Sequence, residues 1–530
     1  MVCWWCCWWC VGGCWWGVGG LGLVGVVEAE VVVVGGGPVG LLVACELAGF
    51  GVRTVVVEAR RGVSGRPRAT TLHARAVQCL VRRGYLGGFA GVGGRGGSVS
   101  QSVFHFAGMG GLVISAPALE PQPVVKCPQG ELEGVFEERA RAAGVVVLRG
   151  HRVCGVFQGP GGVRVTARGP GGEVSCVAGF VVGADGARST VRELGGFGSR
   201  VYPATVSAMA GDVRLEDAGA LRRGWHRTDR GWIVAKDVPG GRVRLRTLNC
   251  AGAHGARHLP LTLEELRREV SWIAGRDVGM GAPRWLSRFS DFGRLVRSYR
   301  RGRVVLAGDA AHVHFPVGGQ GLSTGLLDAV DLGWKLAFTV CGAAGQGLLD
   351  TYGLERRLAA QRVIDHTRAQ LALMRPGGEL DPLRAVFGEL LAGGPEGGVL
   401  ASMVSAQDTV LPARGADSSP WEGRFLQNVV LATGQGPVDV IGLLGGGRPL
   451  LLLFGGRAGG YEAQAQPWAG LLRVVRCEPV PAVPCEAVLV RPDGYVGWAA
   501  GGGGLVPALR AFFGEGGGVV ARGALSGAVS

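Results

Sequence analysis

Three glycines and a glutamate near the start of the chain have the spacing of a dinucleotide-binding unit. Gly35, Gly37 and Gly40 form a G-x-G-x-x-G pattern between a run of four valines and an apolar stretch with helical period. In such a unit the first glycine makes a tight turn, the second lets the backbone approach a pyrophosphate, and the third lets helix and strand pack closely. Glu58 ends the next predicted strand, where it is placed to accept hydrogen bonds from ribose hydroxyls. Strand, glycines, helix, strand and acid together predict dinucleotide binding rather than a plain βαβ core unit.

Two later stretches place a carboxylate beside glycines at the end of a predicted strand. Asp185 and Gly186 follow one such strand, and Gly308 and Asp309 end another. A carboxylate can accept hydrogen bonds from sugar hydroxyls, and glycines let backbone N–H groups approach a flat ring. The second pair is followed by a glycine-rich loop and then by a predicted helix. The loop residues expected to face a ring are Pro316, Gly318, Gly319 and Gly321.

The order and spacing of these three stretches resemble the FAD-dependent aromatic hydroxylases, the family that contains para-hydroxybenzoate hydroxylase and the polyketide and antibiotic monooxygenases. The resemblance covers residues 28–395 and, more weakly, the remainder. It implies that Asp185 helps to hold FAD near the path of NADPH, that Asp309 bonds the ribityl chain, and that the glycine-rich loop passes along the isoalloxazine ring. Many relatives have Asn where this chain has Ser323. The expected FAD contacts are Gly35, Gly37, Pro38, Val39, Gly40, Glu58, Arg68, Gln129, Asp185, Gly186, Gly308, Asp309, Pro316, Gly321, Leu322 and Ser323.

The same resemblance implies the reaction. NADPH or NADH would reduce FAD, O₂ would add at flavin C4a, and the resulting hydroperoxide would hydroxylate an aromatic or phenolic substrate such as an aromatic polyketide or related antibiotic. The chemistry would belong to the flavin, so no catalytic side chain is assigned. His226 could act as a base, but a lone histidine is more often structural. Two alternatives stay open: a flavin-dependent reductase or dehydrogenase on the same scaffold, and a non-catalytic flavin-binding protein.

Several elements must position these residues. We predict an α/β fold: a Rossmann-like FAD-binding domain, an inserted α+β substrate domain of mostly antiparallel sheet, and a C-terminal thioredoxin-like domain. Cys477 and Cys485 do not form a C-x-x-C pair, so a structural or homodimer-supporting role is expected for the last domain rather than redox chemistry. The predicted ranges are 28–98, 125–195 and 296–395 for the FAD-binding domain, 99–124 and 196–295 for the substrate domain, and 415–530 for the thioredoxin-like domain.

The overall charge favours small anionic ligands over nucleic acid. The chain has 55 basic and 41 acidic residues, a net charge of +14, but no basic run with interleaved aromatic residues. The cysteines beyond residue 14 are scattered, which is typical of a reducing cytoplasm, and they predict no metal site.

Residues 1–27 differ from the rest of the chain. They are rich in Cys and Trp, and the first charged residue is Glu28. Two C-x-x-C pairs could indicate a metal site, and the apolar length could indicate a membrane anchor, although a Gly-rich segment without a basic flank makes a poor span. The favoured interpretation is a segment outside the fold, and we therefore predict that residues 1–27 are dispensable.

Overall fold

The computed structural model describes residues 25–89, 98–255, 259–392 and 395–517. The strands are β1 (Gly25–Glu28), β2 (Val31–Val34), β3 (Thr54–Glu58), β4 (Thr71–His73), β5 (Ser100–Phe106), β6 (Met109–Ala116), β7 (Val124–Lys126), β8 (Val146–Arg149), β9 (Arg152–Gly159), β10 (Gly162–Gly169), β11 (Gly172–Ala178), β12 (Phe180–Gly183), β13 (Ser199–Tyr202), β14 (Ser207–Leu215), β15 (Gly224–Thr228), β16 (Gly231–Val238), β17 (Arg242–Leu248), β18 (Met280–Ser290), β19 (Gly293–Val296), β20 (Arg300–Arg301), β21 (Val304–Leu306), β22 (His312–Val313), β23 (Val430–Thr433), β24 (Gly436–Asp439), β25 (Leu450–Phe454), β26 (Arg473–Cys477), β27 (Ala487–Val490) and β28 (Val496–Ala499). The helices are α1 (Pro38–Gly49), α2 (Ala74–Arg82), α3 (Gln129–Ala142), α4 (Thr190–Leu194), α5 (Leu263–Ala274), α6 (Gly321–Val340), α7 (Leu348–Leu373), α8 (Asp381–Ala392), α9 (Pro395–Ser405), α10 (Val440–Leu444), α11 (Ala458–Ala465) and α12 (Leu505–Phe513).

A six-stranded sheet forms the core of the first half. Its order is β20-β21-β12-β2-β3-β8, and all neighbours are parallel except the edge strand β20. β2 and β3 are buried on both faces and rich in valine, as expected where helices cover a parallel sheet. α1 is almost wholly buried and packs against α3 and α6. Because β21, β12, β2 and β3 are adjacent and parallel, their carboxyl ends bring all the predicted motif residues to one edge.

A second sheet corrects the predicted start of the fold. β1 pairs in parallel with β11, so that Gly25 lies opposite Val174 and Glu28 opposite Val177. The prediction that residues 1–27 lie outside the fold is therefore wrong for residues 25–27. The remaining residues of that segment, including the cysteines considered as metal ligands, lie outside the described residues. β1 was missed because it is a short and largely exposed edge strand without an alternating apolar pattern.

A five-stranded antiparallel sheet, in the order β15-β16-β17-β14-β18, is inserted before the third motif. α5 covers one of its faces, where Val213, Ile233 and Leu245 form part of a separate apolar cluster. α5 begins with a capping box, in which Thr262 accepts from the backbone of Glu265 and the Glu265 side chain accepts from the backbone of Thr262. On the other face, Trp232 and Leu248 belong to the same apolar cluster as Phe315 and Val317 of the glycine-rich loop.

The part of the chain after α7 contains two further helices, α8 and α9. Gly388 lies inside α8, where a single glycine costs only about 1 kcal/mol. Pro395 is the first residue of α9, a position at which proline suits the helical φ and its missing N–H has no partner to lose.

The C-terminal sheet has the thioredoxin-like arrangement that the sequence predicted. Its order is β26-β25-β27-β28, with β26 parallel to β25 across α11 and the next two pairs antiparallel. α12 packs on this sheet and on α11. Cys477 and Cys485 are free thiols. The domain thus has the fold of a thioredoxin without a paired-cysteine centre at these positions.

A buried network of charges joins this domain to α6 and α7. Arg491, in the turn between β27 and β28, donates to Glu355 of α7 at 2.9 and 2.8 Å and to Asp331 of α6 at 2.7 Å. It also bonds Asp493, and Lys335 lies 2.7 Å from Glu355. The side chains of all five residues are nearly inaccessible to solvent, so the domain is fixed to α6 and α7 by paired charges.

None of the helices in the described ranges is long and apolar enough to cross a bilayer. Within the same ranges, no group of three or more His, Cys, Asp or Glu side chains could hold a metal ion.

Candidate active site

The three glycines after β2 differ in the space around them. Gly35 has a φ of +111°, and a Cβ there would lie 2.3 Å from the carbonyl oxygen of Ala184. A Cβ on Gly40 would lie 2.0 Å from the carbonyl oxygen of Gly35. Gly37, in contrast, has no atom within 4 Å of its Cβ position. Gly35 and Gly40 are required for internal packing, while Gly37 leaves open space at the N-terminus of α1.

Glu58 ties the glycine turn to the end of β3. Its side chain is buried, and its two carboxylate oxygens accept from the backbone N–H groups of Gly36 at 2.7 Å and Arg60 at 2.8 Å. Each carboxylate oxygen has a second lone pair. Glu58 can therefore hold the turn and still accept a hydrogen bond from a ribose hydroxyl.

Asp185 has a structural task that the sequence did not predict. Its carboxylate accepts from the hydroxyl of Ser189 and, at 3.1 Å, from the backbone N–H of Val191, so it stabilises the start of α4. Burial raises the pKa of Asp185, and these hydrogen bonds partly oppose the rise. Gly186, with a φ of +82° and no atom near its Cβ position, leaves room beside it. Arg192 of α4 donates to the carbonyl of Ala310 at 3.1 Å and so joins the second motif to the third.

Asp309 is the free carboxylate of the third motif. It lies on a short 3-10 helix, Gly308–Ala310, and its side chain is exposed. Among the described residues it accepts no hydrogen bond. It is therefore available to a ligand that brings hydroxyl groups to this edge of the sheet.

Asp328 of α6 holds the third motif from behind, a role that sequence reasoning missed. It is completely buried, and it accepts from the backbone N–H of Gly308 at 3.0 Å and from Arg356 at 2.8 Å. Nε2 of His312 lies 2.7 Å from the same carboxylate. Burial alone would raise the pKa of Asp328, but His312 and Arg356 outweigh it and hold the pKa below its ordinary value. The sequence did contain a signal for Asp328, because an acid within an apolar helical stretch indicates a buried side chain that needs a partner.

The glycine-rich loop turns through two consecutive left-handed residues. Gly318 has a φ of +75° and Gly319 a φ of +64°, conformations that side-chain-bearing residues rarely adopt. The carbonyl of Gly318 lies 2.9 Å from Nε2 of His73. A carbonyl only accepts, so Nε2 carries the proton, and Nδ1 has no partner in the described part of the chain. Burial lowers the pKa of His73 to about 4, and the ring is therefore neutral at pH 7.

The first turn of α6 is bonded to the backbone of His73. Ser323, one of the expected FAD contacts, accepts from the backbone N–H of His73 at 3.1 Å. Its hydroxyl proton is left free to donate. Leu322 is buried beside it, and the positive end of α6 lies directly after the loop, where it favours negative charge.

Arg68 and Gln129, two further predicted contacts, each have a polar group that is free to meet a ligand. Arg68 is exposed, and its side chain has no partner among the described residues. The side-chain N–H₂ of Gln129 donates to Glu133 at 2.8 Å, which leaves its carbonyl oxygen free. Arg75, from the same arginine-containing stretch as Arg68, does not join them, because its guanidinium lies 3.7 Å from the ring centre of Phe425 in the C-terminal domain.

An apolar face of the five-stranded sheet lies over the loop. Trp232, Leu248, Ala208 and Phe289 follow one another across four strands. The ring of Phe289 lies 5.8 Å from that of Phe315, which precedes the loop. His226 stands on the opposite face of β15 from Trp225, and its Nε2 lies 2.6 Å from the carbonyl of Arg222. This contact supports the structural interpretation of His226.

Fold and site together define an α/β protein that binds a flavin dinucleotide. Residues 28–367 match the family model described as FAD binding domain, and residues 419–516 match the one described as Aromatic-ring hydroxylase, C-terminal. The 12-dehydrotetracycline 5-monooxygenase/anhydrotetracycline 6-monooxygenase of Streptomyces rimosus is 36% identical over 507 residues, which are 92% of this chain and 99% of that protein. The dialkyldecalin synthase of Streptomyces rugosporus is 36% identical over 490 residues, or 91% and 98% of the two chains.

A solved structure shows the same architecture throughout. CabE, described as an aromatic hydroxylase from angucycline biosynthesis, superposes with a TM-score of 0.83 at 34% identity, over 92% of this chain and 99% of that one. The chain belongs to the family of FAD-dependent aromatic-ring hydroxylases and is a FAD-dependent monooxygenase, as the three motifs predicted.

Proposed function

We propose that this protein hydroxylates a planar aromatic or phenolic substrate, with FAD as cofactor and with NADPH or NADH and O₂ as co-substrates. The observation that carries the proposal is the apolar, aromatic-bearing face of the five-stranded sheet directly over the glycine-rich loop. Phe289 and Phe315 meet there at 5.8 Å, and Trp225 and Trp232 pack edge to face 6.0 Å apart on the same sheet. Such a surface suits a flat aromatic molecule better than a small polar acid.

FAD would be held by the residues whose geometry leaves space or free acceptors for it. Gly37 has an open approach at the α1 N-terminus, Glu58 retains free lone pairs, and Asp309 is unpaired among the residues that the structure describes. Bound there, the cofactor supplies the activation of oxygen. The full set of proposed contacts is Gly35, Gly37, Pro38, Val39, Gly40, Glu58, Arg68, Gln129, Asp185, Gly186, Gly308, Asp309, Pro316, Gly321, Leu322 and Ser323.

The chain's own residues would orient the reactants and keep water away. His73 fixes the loop through Gly318 and the start of α6 through Ser323. The N-terminus of α6 would stabilise negative charge on the reduced ring. The apolar cluster that includes Trp232 and Phe315 would exclude water above the ring.

The names of the relatives suggest the substrate class and one competing function. The Streptomyces rimosus relative is named for two tetracycline precursors, and we infer an aromatic polyketide or related antibiotic for this chain. The dialkyldecalin synthase, at the same identity, favours a second candidate in which the same scaffold holds FAD without inserting oxygen.

The predicted homodimer and cytoplasmic location stay predictions, which light scattering and cell fractionation would test.

Substrate-dependent consumption of NADPH tests the proposal. Purified protein loaded with FAD is mixed with a panel of phenols and polycyclic quinones, in air and under nitrogen. Hydroxylation predicts that at least one aromatic compound accelerates NADPH oxidation in air and that turnover stops under nitrogen. If NADPH were oxidised under nitrogen with another electron acceptor as fast as in air, the protein would be a reductase. If no compound changed the rate of NADPH oxidation, the second candidate would be favoured.

A further inference from the structure

A positively charged side chain lies beside the apolar face of the five-stranded sheet. Arg246 of β17 is directly opposite Val234 of β16 on one side and Ala210 of β14 on the other. It is two residues from Leu248 on the same strand, so the two side chains share a face and are about 6.8 Å apart along it. Leu248 belongs to the apolar cluster that contains Phe315. The face that meets the glycine-rich loop therefore carries a cation next to its apolar part.

Two lysines approach the same part of the face. Lys236 of β16 is directly opposite Arg244 of β17 and so shares the face with it. Lys126 comes from the FAD-binding part of the chain, on β7, which pairs with β4. Burial, and then the positive charge of Lys236, lower the pKa of Lys126. The two lysines therefore lie near one another across the space between the two domains.

His105 connects these lysines with the arginine. Its ring centre lies 4.5 Å from that of Trp225, which is two strands from Arg246 in the same row of the sheet, about 10 Å away. Burial lowers the pKa of His105 to about 4, and the nearby charges of Lys126 and Arg246 add to the effect. The three cations therefore surround one space, with a neutral histidine beside it.

This positive charge is not balanced by the protein. Asp212 is the acid that acts on Arg246, but both of its carboxylate oxygens accept from Arg244, at 2.7 and 2.8 Å. Arg246 and Lys236 have no hydrogen-bond or ion-pair partner among the described residues, and Lys126 donates to a threonine hydroxyl at 3.3 Å. Arg246 is open to solvent, yet burial and then the charge of Arg244 lower its pKa. This combination is expected for a charge inside a cleft.

Unpaired cations in a cleft favour an anionic ligand. Desolvation and the repulsion between like charges both disfavour the charged forms, and a bound anion would offset both effects. The guanidinium fork of an arginine matches the paired oxygens of a carboxylate, and lysines add point charges beside it.

We propose that the aromatic substrate carries an anionic oxygen group, which Arg246 binds together with Lys126 and Lys236 while the rings lie against Leu248 and Phe289. The group is a carboxylate or an ionised enol or phenol. The inference rests on the proposed function and deepens it, because it restricts the aromatic substrate to a charged class. A polycyclic molecule is long enough to cover the apolar part of the face and reach Arg246.

Pairs of probes that differ mainly in charge test the site without turnover. Calorimetry with FAD-loaded protein at pH 7 compares anthraquinone-2-carboxylate with anthraquinone-2-carboxamide, and 2-hydroxy-1,4-naphthoquinone, which is ionised at this pH, with its methyl ether. The anionic member of at least one pair should bind at least about tenfold more tightly, because it gains charge-assisted hydrogen bonds. A preference in the first pair indicates a carboxylate, and one in the second pair indicates an ionised enol.

Substitution of Arg246 shows whether this residue causes the preference. Arg246→Gln keeps a polar side chain but removes the charge, so most of the preference should disappear while the affinity for the neutral probes and the FAD content stay unchanged. Arg242→Gln is the matched control, because Arg242 lies on the same strand and face, further from Leu248, and donates to the carbonyls of Ala282 and Gly240. It should retain the full preference.

Two results would overturn the inference: equal affinity for both members of each pair, or a preference for the anion that survives in Arg246→Gln. Tighter binding of the anionic probes, lost in Arg246→Gln, without hydroxylation of any aromatic compound would contradict the proposed function alone.

Discussion

At the scale of single residues, the site depends on backbone geometry held in place by buried side chains. Asp328 holds Gly308, and His73 holds Gly318, although neither side chain is among the proposed FAD contacts. The exposed group that they prepare is Asp309. Because Asp309 accepts no hydrogen bond from the described residues, its replacement is expected to affect flavin binding more than folding.

Replacing Asp309 tests this directly. Asp309→Ala removes a charged acceptor for ribityl hydroxyls, a loss of about 1.5–3 kcal/mol in FAD binding. Asp309→Asn keeps a neutral acceptor and should lose less. The dissociation constant of FAD is measured by quenching of flavin fluorescence, and thermal unfolding of the flavin-free proteins is the control. Equal FAD affinity in all three proteins would show that Asp309 does not meet the flavin.

His73 makes the loop sensitive to acid. The pKa of His73 is lowered from 6.5 to about 4 by burial, so the unfolded chain takes up this proton before the folded one does. The free energy of unfolding should therefore fall as the pH is lowered from about 6.5 to about 4, and His73 contributes about 3 kcal/mol of this loss. Below about pH 4 this residue causes no further loss. His73→Gln cannot titrate and should flatten this part of the curve. Urea unfolding of both proteins between pH 4 and 7 measures the difference, and parallel curves would contradict the assignment.

At the scale of elements, the sequence was informative where a pattern was local. The Val31–Val34 strand, the glycine turn and the helix after the loop were all predicted within a few residues. Asp328 was missed because its partners Gly308, His312 and Arg356 come together only in three dimensions. Asp185 was predicted to face the cofactor because nothing in the sequence shows that it stabilises the start of α4.

The first strand provides the test at this scale. β1 is exposed but pairs with β11 along its whole length. A version of the chain beginning at Gly25 should fold and retain FAD, as predicted for a dispensable upstream segment. One beginning at Ala29 loses four strand residues, and we expect about 1–2 kcal/mol lower stability from the lost backbone hydrogen bonds. Urea unfolding compares the two, and loss of folded protein in the version beginning at Gly25 would show that the upstream segment is required.

At the scale of the whole molecule, the thioredoxin-like domain is part of the structure behind the flavin site. Arg491 joins it to α6 and α7 through buried acids. α6 also begins at the glycine-rich loop. A substitution of Arg491 should therefore affect the flavin site through α6.

Arg491→Met tests this connection. It leaves Asp331, Glu355 and Asp493 buried with one fewer cation, which should cost about 3–5 kcal/mol. Arg476→Met is the control in the same domain, because its pair with Glu462 is exposed and worth at most about 1 kcal/mol. Urea unfolding and FAD retention are measured together, and we expect Arg491→Met to lose both. Equal stability of the two variants would mean that the network does not hold the domains together.

The origin of the oxygen atom tests the central claim most directly. FAD-loaded protein is incubated with NADPH, ¹⁸O₂ and the aromatic compound that most accelerates NADPH oxidation, and the product is examined by mass spectrometry. Hydroxylation predicts a product that has gained one labelled oxygen, and none when the label is supplied as H₂¹⁸O instead. A product without label from ¹⁸O₂, formed while NADPH is consumed, would contradict the account.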